Sequence, residues 1–151
     1  MRNLPRTHNF ITAVVLSSAL AVIAGCSSMG PMSDMMSGQK IVLSGSNEVP
    51  AVTTPATGSG TITINPDRTV RAAVTVTGMT ATASHIHEGA AGTNGPVIVP
   101  FTKTGDNMFS AAADAKLTEA QYAAYKAGKL YVNVHSAAHP GGEVRAQLKG
   151  S

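Results

Sequence analysis

The chain has 151 residues with one cysteine, no tryptophan and few aromatics, and carries 11 Lys and Arg against 8 Asp and Glu. That length suits one domain with accessories, and a lone cysteine excludes an internal disulfide. A formal charge of +3 with no basic stripe and few rings for stacking gives nucleic-acid binding no electrostatic basis.

In chain order, Arg2 and Arg6 precede a mostly apolar run over residues 10–23, too short and too cleanly ended for a membrane span. Residues 1–25 therefore read as a signal peptide. Ile23-Ala24-Gly25-Cys26 resembles the lipobox of bacterial lipoproteins, with Cys26 as the residue that takes the lipid. The expected address is the bacterial cell envelope, anchored in a membrane through Cys26. Ser27 after the cysteine resembles the outer-membrane sorting pattern, with the domain facing the periplasm. Without Arg2 and Arg6 the basic count falls to 9 against 8 acidic residues.

Residues 26–39 read as a flexible tether of Ser, Gly, Pro and Met. Met29, Met32, Met35 and Met36 lie in it, and thioethers suit Cu(I). A linker that happens to be rich in Met is the plainer reading, since nothing local fixes the side chains.

From Lys40 the pattern has period two, the mark of strands with one buried face. Ile41 and Leu43 share one face, as do Ile62 and Ile64. Asn65-Pro66-Asp67-Arg68 then turns the chain into Val70, Ala72, Val74 and Val76. Ser84-His85-Ile86-His87-Glu88-Gly89 places His85 and His87 on one face and Ile86 on the other. A glycine-rich loop over 89–95 leads to the apolar run 96–101, which suits a strand covered on both faces.

One helix is expected after Leu117. Thr118 and Gln121 have capping-box spacing, Leu117 can staple to Tyr122, Gly128 supplies the stop, and Tyr122 and Tyr125 pack inward. In Leu130-Tyr131-Val132-Asn133-Val134-His135 the valines face the core, so Tyr131, Asn133 and His135 share the opposite face. After the turn Pro140-Gly141-Gly142, Val144, Ala146 and Leu148 point in and Glu143, Arg145 and Gln147 point out. The expected fold is mainly β, an antiparallel β-sandwich or Greek-key barrel with one short helix, spanning residues 40–151.

Asn47-Glu48-Val49-Pro50, His85-Ile86-His87-Glu88-Gly89 and Tyr131-Val132-Asn133-Val134-His135 with Pro140-Gly141-Gly142-Glu143-Val144-Arg145 together resemble the CHRD domain family. The resemblance covers roughly residues 40–149 and implies a domain of bacterial envelope proteins rather than a defined activity. Ala51, Ala146 and His139 depart from the family's common residues. His85-Ile86-His87-Glu88 is also similar to a strand of copper/zinc superoxide dismutases, but that fragment stands alone, and no enzymatic activity is expected.

Four histidines in two short motifs point to a metal. His85, His87 and His135, with His139, form the candidate ligand set for one transition-metal ion, copper favoured and zinc the alternative. Glu88, Asn133 and Glu143 are candidates to hold the second ring nitrogens, with Arg145 orienting a carboxylate. The alternative is a structural or protein-interaction module whose histidines only brace loops. The sequence names no protein partner.

Overall fold

Alternating apolar residues give strands, and in the computed structural model, which describes residues 38–150, eight of them close into one antiparallel barrel. The strands are β1 (Gln39–Ser44), β2 (Thr57–Ile64), β3 (Val70–Thr77), β4 (Ala81–Glu88), β5 (Val97–Gly105), β6 (Met108–Ala111), β7 (Leu130–Ser136) and β8 (Val144–Gln147). Around the barrel they run β1-β2-β3-β6-β5-β4-β7-β8. The barrel, rather than the open sandwich, is thus the architecture formed. Closure rests on Ser44 of β1 pairing with Arg145 of β8. The expected signal peptide over 1–25, Cys26 and the methionines of the expected tether lie outside the described residues. Among the described residues no helix is long and apolar enough to cross a membrane.

Alternation fills the barrel from within. Ile41, Leu43, Ile62, Val74, Val76, Ile86, Val99, Phe109, Val132, Val134, Val144, Ala146 and Leu148 are all buried in one cluster. Bulk is balanced by glycine: Gly58 pairs with Leu43 on one side and Val76 on the other, and a Cβ there would press on both side chains. Large and small residues on facing positions let a small barrel close without voids.

The hairpin between β2 and β3 turns at Asn65, where Arg68 N–H donates to Asn65 O at 2.8 Å and Arg68 takes a positive φ of 72°. The apolar run at 96–101 is not covered on both faces. In β5 only Val99 is fully buried, while Val97 is 47% exposed, because among the described residues no layer packs outside this part of the barrel. The hairpin of β5 and β6, turning at Asp106 and Asn107, has too few apolar residues for its length to stand out in the pattern.

Helix α1 (Glu119–Lys126) is capped as its sequence demands. Gln121 N–H donates to Thr118 Oγ1 at 3.2 Å, and Thr118 N–H donates to Gln121 Oε1 at 2.8 Å. Gly128, at φ 68°, ends it by donating to Tyr125 O. Tyr125 is buried and Tyr122 half-buried against the core beside Leu117.

The outer face of β4, β7 and β8 behaves differently from the rest of the surface. Every residue of β7 is buried, on both faces of the strand. Three loops lie against this region: residues 45–56, residues 89–96 and the turn at 137–143. The polar side chains that alternation sends outward therefore leave water as well.

Candidate metal centre

Register places the outward residues side by side. His85 stands opposite Asn133, His87 opposite Tyr131, and Asn133 opposite Arg145. Such cross-strand neighbours have Cβ atoms about 4.5 to 5.5 Å apart, so one polar patch forms across β4, β7 and β8. His87 is 7% exposed, His135 9%, Asn133 2% and Arg145 1%.

Within the patch, one nitrogen from each of His85, His87 and His135 lies within 4.8 Å of the others. His85 Nδ1 and His135 Nε2 are 3.0 Å apart. Ligand nitrogens around a tetrahedral ion at about 2.0 to 2.1 Å are roughly 3.3 Å apart, so an ion would draw the third ring slightly inward.

The remaining ring nitrogens are tied to main chain. His87 Nδ1–H donates to Gly95 O at 2.9 Å, and His135 Nδ1–H donates to Pro140 O at 3.0 Å. A neutral imidazole has one N–H, so a donor at Nδ1 leaves Nε2 as a lone pair. His87 Nε2 is buried and has no hydrogen-bond partner among the described residues. For an apo site the consistent arrangement is His85 Nδ1–H donating to His135 Nε2, and an ion would shift that proton to His85 Nε2. Bracing the loops and presenting ligands are thus compatible, because they use different nitrogens of one ring.

Arg145 fixes the loop that holds His87. Its Nη2 donates to Thr93 O at 2.8 Å and its Nη1 to Asn94 Oδ1 at 3.1 Å. The guanidinium also lies 3.4 Å from the centre of the Tyr131 ring. Tyr131 in turn stacks on His87, centroids 4.8 Å apart and planes 8° from parallel. Gly95 closes the arrangement, its N–H donating to Tyr131 Oη at 3.2 Å. A Cβ at Gly95 would collide with the Glu88 carbonyl, so glycine is required for this close approach.

Several expected roles fall elsewhere. Period two sends Glu88 to the face opposite His87, and its N–H closes the strand end on Pro96 O. Glu143 accepts from Thr54 Oγ1 at 2.6 Å. Main-chain carbonyls, rather than Glu88 or Glu143, hold the second nitrogens of His87 and His135, because the covering loops bring Gly95 and Pro140 closer than any carboxylate. Arg145 accordingly orients a loop and not a carboxylate. His139 is not one of the three convergent histidines. It sits in the turn, where its N–H donates to Ser136 Oγ. Burial pushes the Glu143 carboxyl up, but hydrogen bonds from Ser136 and Thr54 and the nearby His139 bring it below the usual range.

Glu48, from the first of the covering loops, is the residue that sequence reasoning passed over. It is 6% exposed and its Oε1 has no hydrogen-bond partner among the described residues. Burial pushes it up to about 7, against the Arg145 charge and a backbone hydrogen bond from Val49 that pull it down. Its place in Asn47-Glu48-Val49-Pro50, one of the motifs that mark this domain, was the available signal.

The chain matches the CHRD domain over residues 40–148. It belongs to the CHRD domain family. No curated protein and no solved structure matches it significantly. The three motifs that carry the CHRD resemblance are those that build the polar patch: Glu48 from the first, His85 and His87 from the second, and Tyr131, Asn133, His135, Gly142 and Arg145 from the third.

Burial lowers the His85 pKa from 6.5 to about 4, helped by His135 and His87, and burial also lowers that of His135. Both rings are then neutral in the fold at pH values where the unfolded chain binds protons. Their contribution to stability is complete above about 6.5 and is lost as the pH falls through the depressed range. Glu48 acts in the opposite sense, its contribution being lost as the pH rises from 4.5 through about 7. A variant separates the two. His85→Gln, measured metal-free by urea unfolding, gains stability relative to the native chain as the pH drops from about 7 to about 5. A constant difference across that range would contradict the burial of a neutral His85.

Proposed function

We propose that this protein is a membrane-anchored lipoprotein of the bacterial envelope whose CHRD barrel binds one transition-metal ion through His85, His87 and His135, without catalysing a reaction. The observation that carries the reading is the division of labour within the rings. Two of them donate at Nδ1 to Gly95 O and Pro140 O, and one nitrogen from each of the three rings lies within 4.8 Å of the others.

Copper is the favoured ion. Three neutral imidazoles with no thiolate suit Cu, Zn or Ni, and among divalent first-row ions Cu(II) binds nitrogen sites most tightly. An envelope address would place the domain where copper is met, and Met29, Met32, Met35 and Met36 offer soft donors for the reduced ion. Lipid on Cys26 would hold the barrel at the membrane far more firmly than a single acyl chain does, since such anchors carry several.

Two measurements check this. By calorimetry the metal-free protein takes up one Cu(II) or Zn(II), and replacing His85 and His135 together by Ala weakens binding by more than about 100-fold, beyond what partners outside the ligand set usually cost. His139→Ala leaves the affinity nearly unchanged. Undiminished affinity in the double variant would contradict the site. For the anchor, Cys26→Ala moves the expressed protein from the membrane to the soluble fraction. Persistence in the membrane would show another means of attachment.

A further inference from the structure

Three buried side-chain atoms lack a hydrogen-bond partner among the described residues: Glu48 Oε1, Asn133 Oδ1 and His87 Nε2. All three are acceptors, given an ionised Glu48 and the Nδ1–H tautomer of His87. They also belong to one place. Asn133 is the cross-strand partner of His85, and on β7 it stands two residues from both Tyr131 and His135, on the same face. Glu48 reaches the same spot from the loop above. A Cβ built on Gly142 would lie 2.6 Å from Glu48 Oε1 and 2.7 Å from Asn133 Nδ2.

Gly142, at a φ of 130° that other residues rarely adopt, lets both side chains pack against its main chain where a Cβ would clash. Buried acceptors left unpaired are costly, and this polar patch holds three of them. His87 Nε2 belongs to the metal triplet. Glu48 is not one of that triplet, and it adjoins it through Asn133, the cross-strand partner of His85.

We infer that an ion held by His85, His87 and His135 keeps a fourth position for a neutral O–H ligand such as water, whose hydrogens are taken by Glu48 and Asn133, and that this rim disfavours small anions. The inference rests on the metal reading proposed above. A metal-bound water has two hydrogens to give, and the patch offers two acceptors beyond the ligands. The negative carboxylate, desolvated by burial, repels an incoming anion much more strongly than it would in water. Glu48 and Asn133 are therefore positioning residues that select the charge of the fourth ligand.

Azide is the probe. The full-length protein, purified in detergent and loaded with Cu(II), is titrated with azide at about pH 8, above the value of about 7 to which burial pushes Glu48. Binding is read from the azide-to-copper absorption band. Native protein binds azide weakly, and Glu48→Gln, which keeps the shape and removes the charge, binds it about tenfold more tightly or better. Asn133→Asp adds a charge at the same rim without touching Glu48 and weakens azide by a similar factor. Copper binding with equal azide affinity in the native protein and both variants would overturn this inference alone. Failure of the native protein to bind Cu(II) would overturn the metal reading and this inference with it.

Discussion

An imidazole has two nitrogens, and the site depends on how the fold divides them. Gly95 and Pro140, each in a loop that lies over the outer face of the barrel, accept the Nδ1–H of His87 and His135. Each carbonyl sets a tautomer, and each tautomer directs an Nε2 lone pair to the same place. Loop closure and ligand presentation are one event in this domain. A ring that lost its carbonyl would be free to rotate, and the metal set would lose a member.

The loops hold their positions because the barrel gives them a charged anchor. Arg145 lies on β8, at the register where the barrel closes on Ser44, and its guanidinium donates into the 89–96 loop while resting on Tyr131. Tyr131 passes this order to His87 by stacking. A fully buried cation held by carbonyls, an amide and an aromatic face is expensive to assemble and fails badly when any partner is removed. The geometry of His87 is therefore coupled to barrel closure, and metal binding is expected to stabilise the whole domain by mass action.

Much of this could be read from the residues. Period two assigned the inner face of β7 to Val132 and Val134 and the outer face to Tyr131, Asn133 and His135, and the register bears that out. The cap at Thr118 and the stop at Gly128 were legible because both depend on neighbours in sequence. The choice between sandwich and barrel stayed open, since closure depends on Ser44 meeting Arg145 about a hundred residues away. The cover over the outer face was not legible: alternation says which way a side chain points, and tertiary packing decides whether water is there. For that reason Glu48 was read as part of a motif and not as a site residue, Glu88 and Glu143 were assigned partners they do not meet, and the 96–101 run was expected to be more buried than it is.

The central claim is that the folded, metal-free domain already holds His87 and His135 as Nδ1–H tautomers with their Nε2 atoms unprotonated. Nitrogen-15 chemical shifts of the histidine side chains, recorded at neutral pH in the presence of a chelator, read this directly. Both rings are expected to show a protonated Nδ1 and a lone-pair Nε2. Nε2–H tautomers at His87 and His135, or rapid exchange between the two forms, would contradict it.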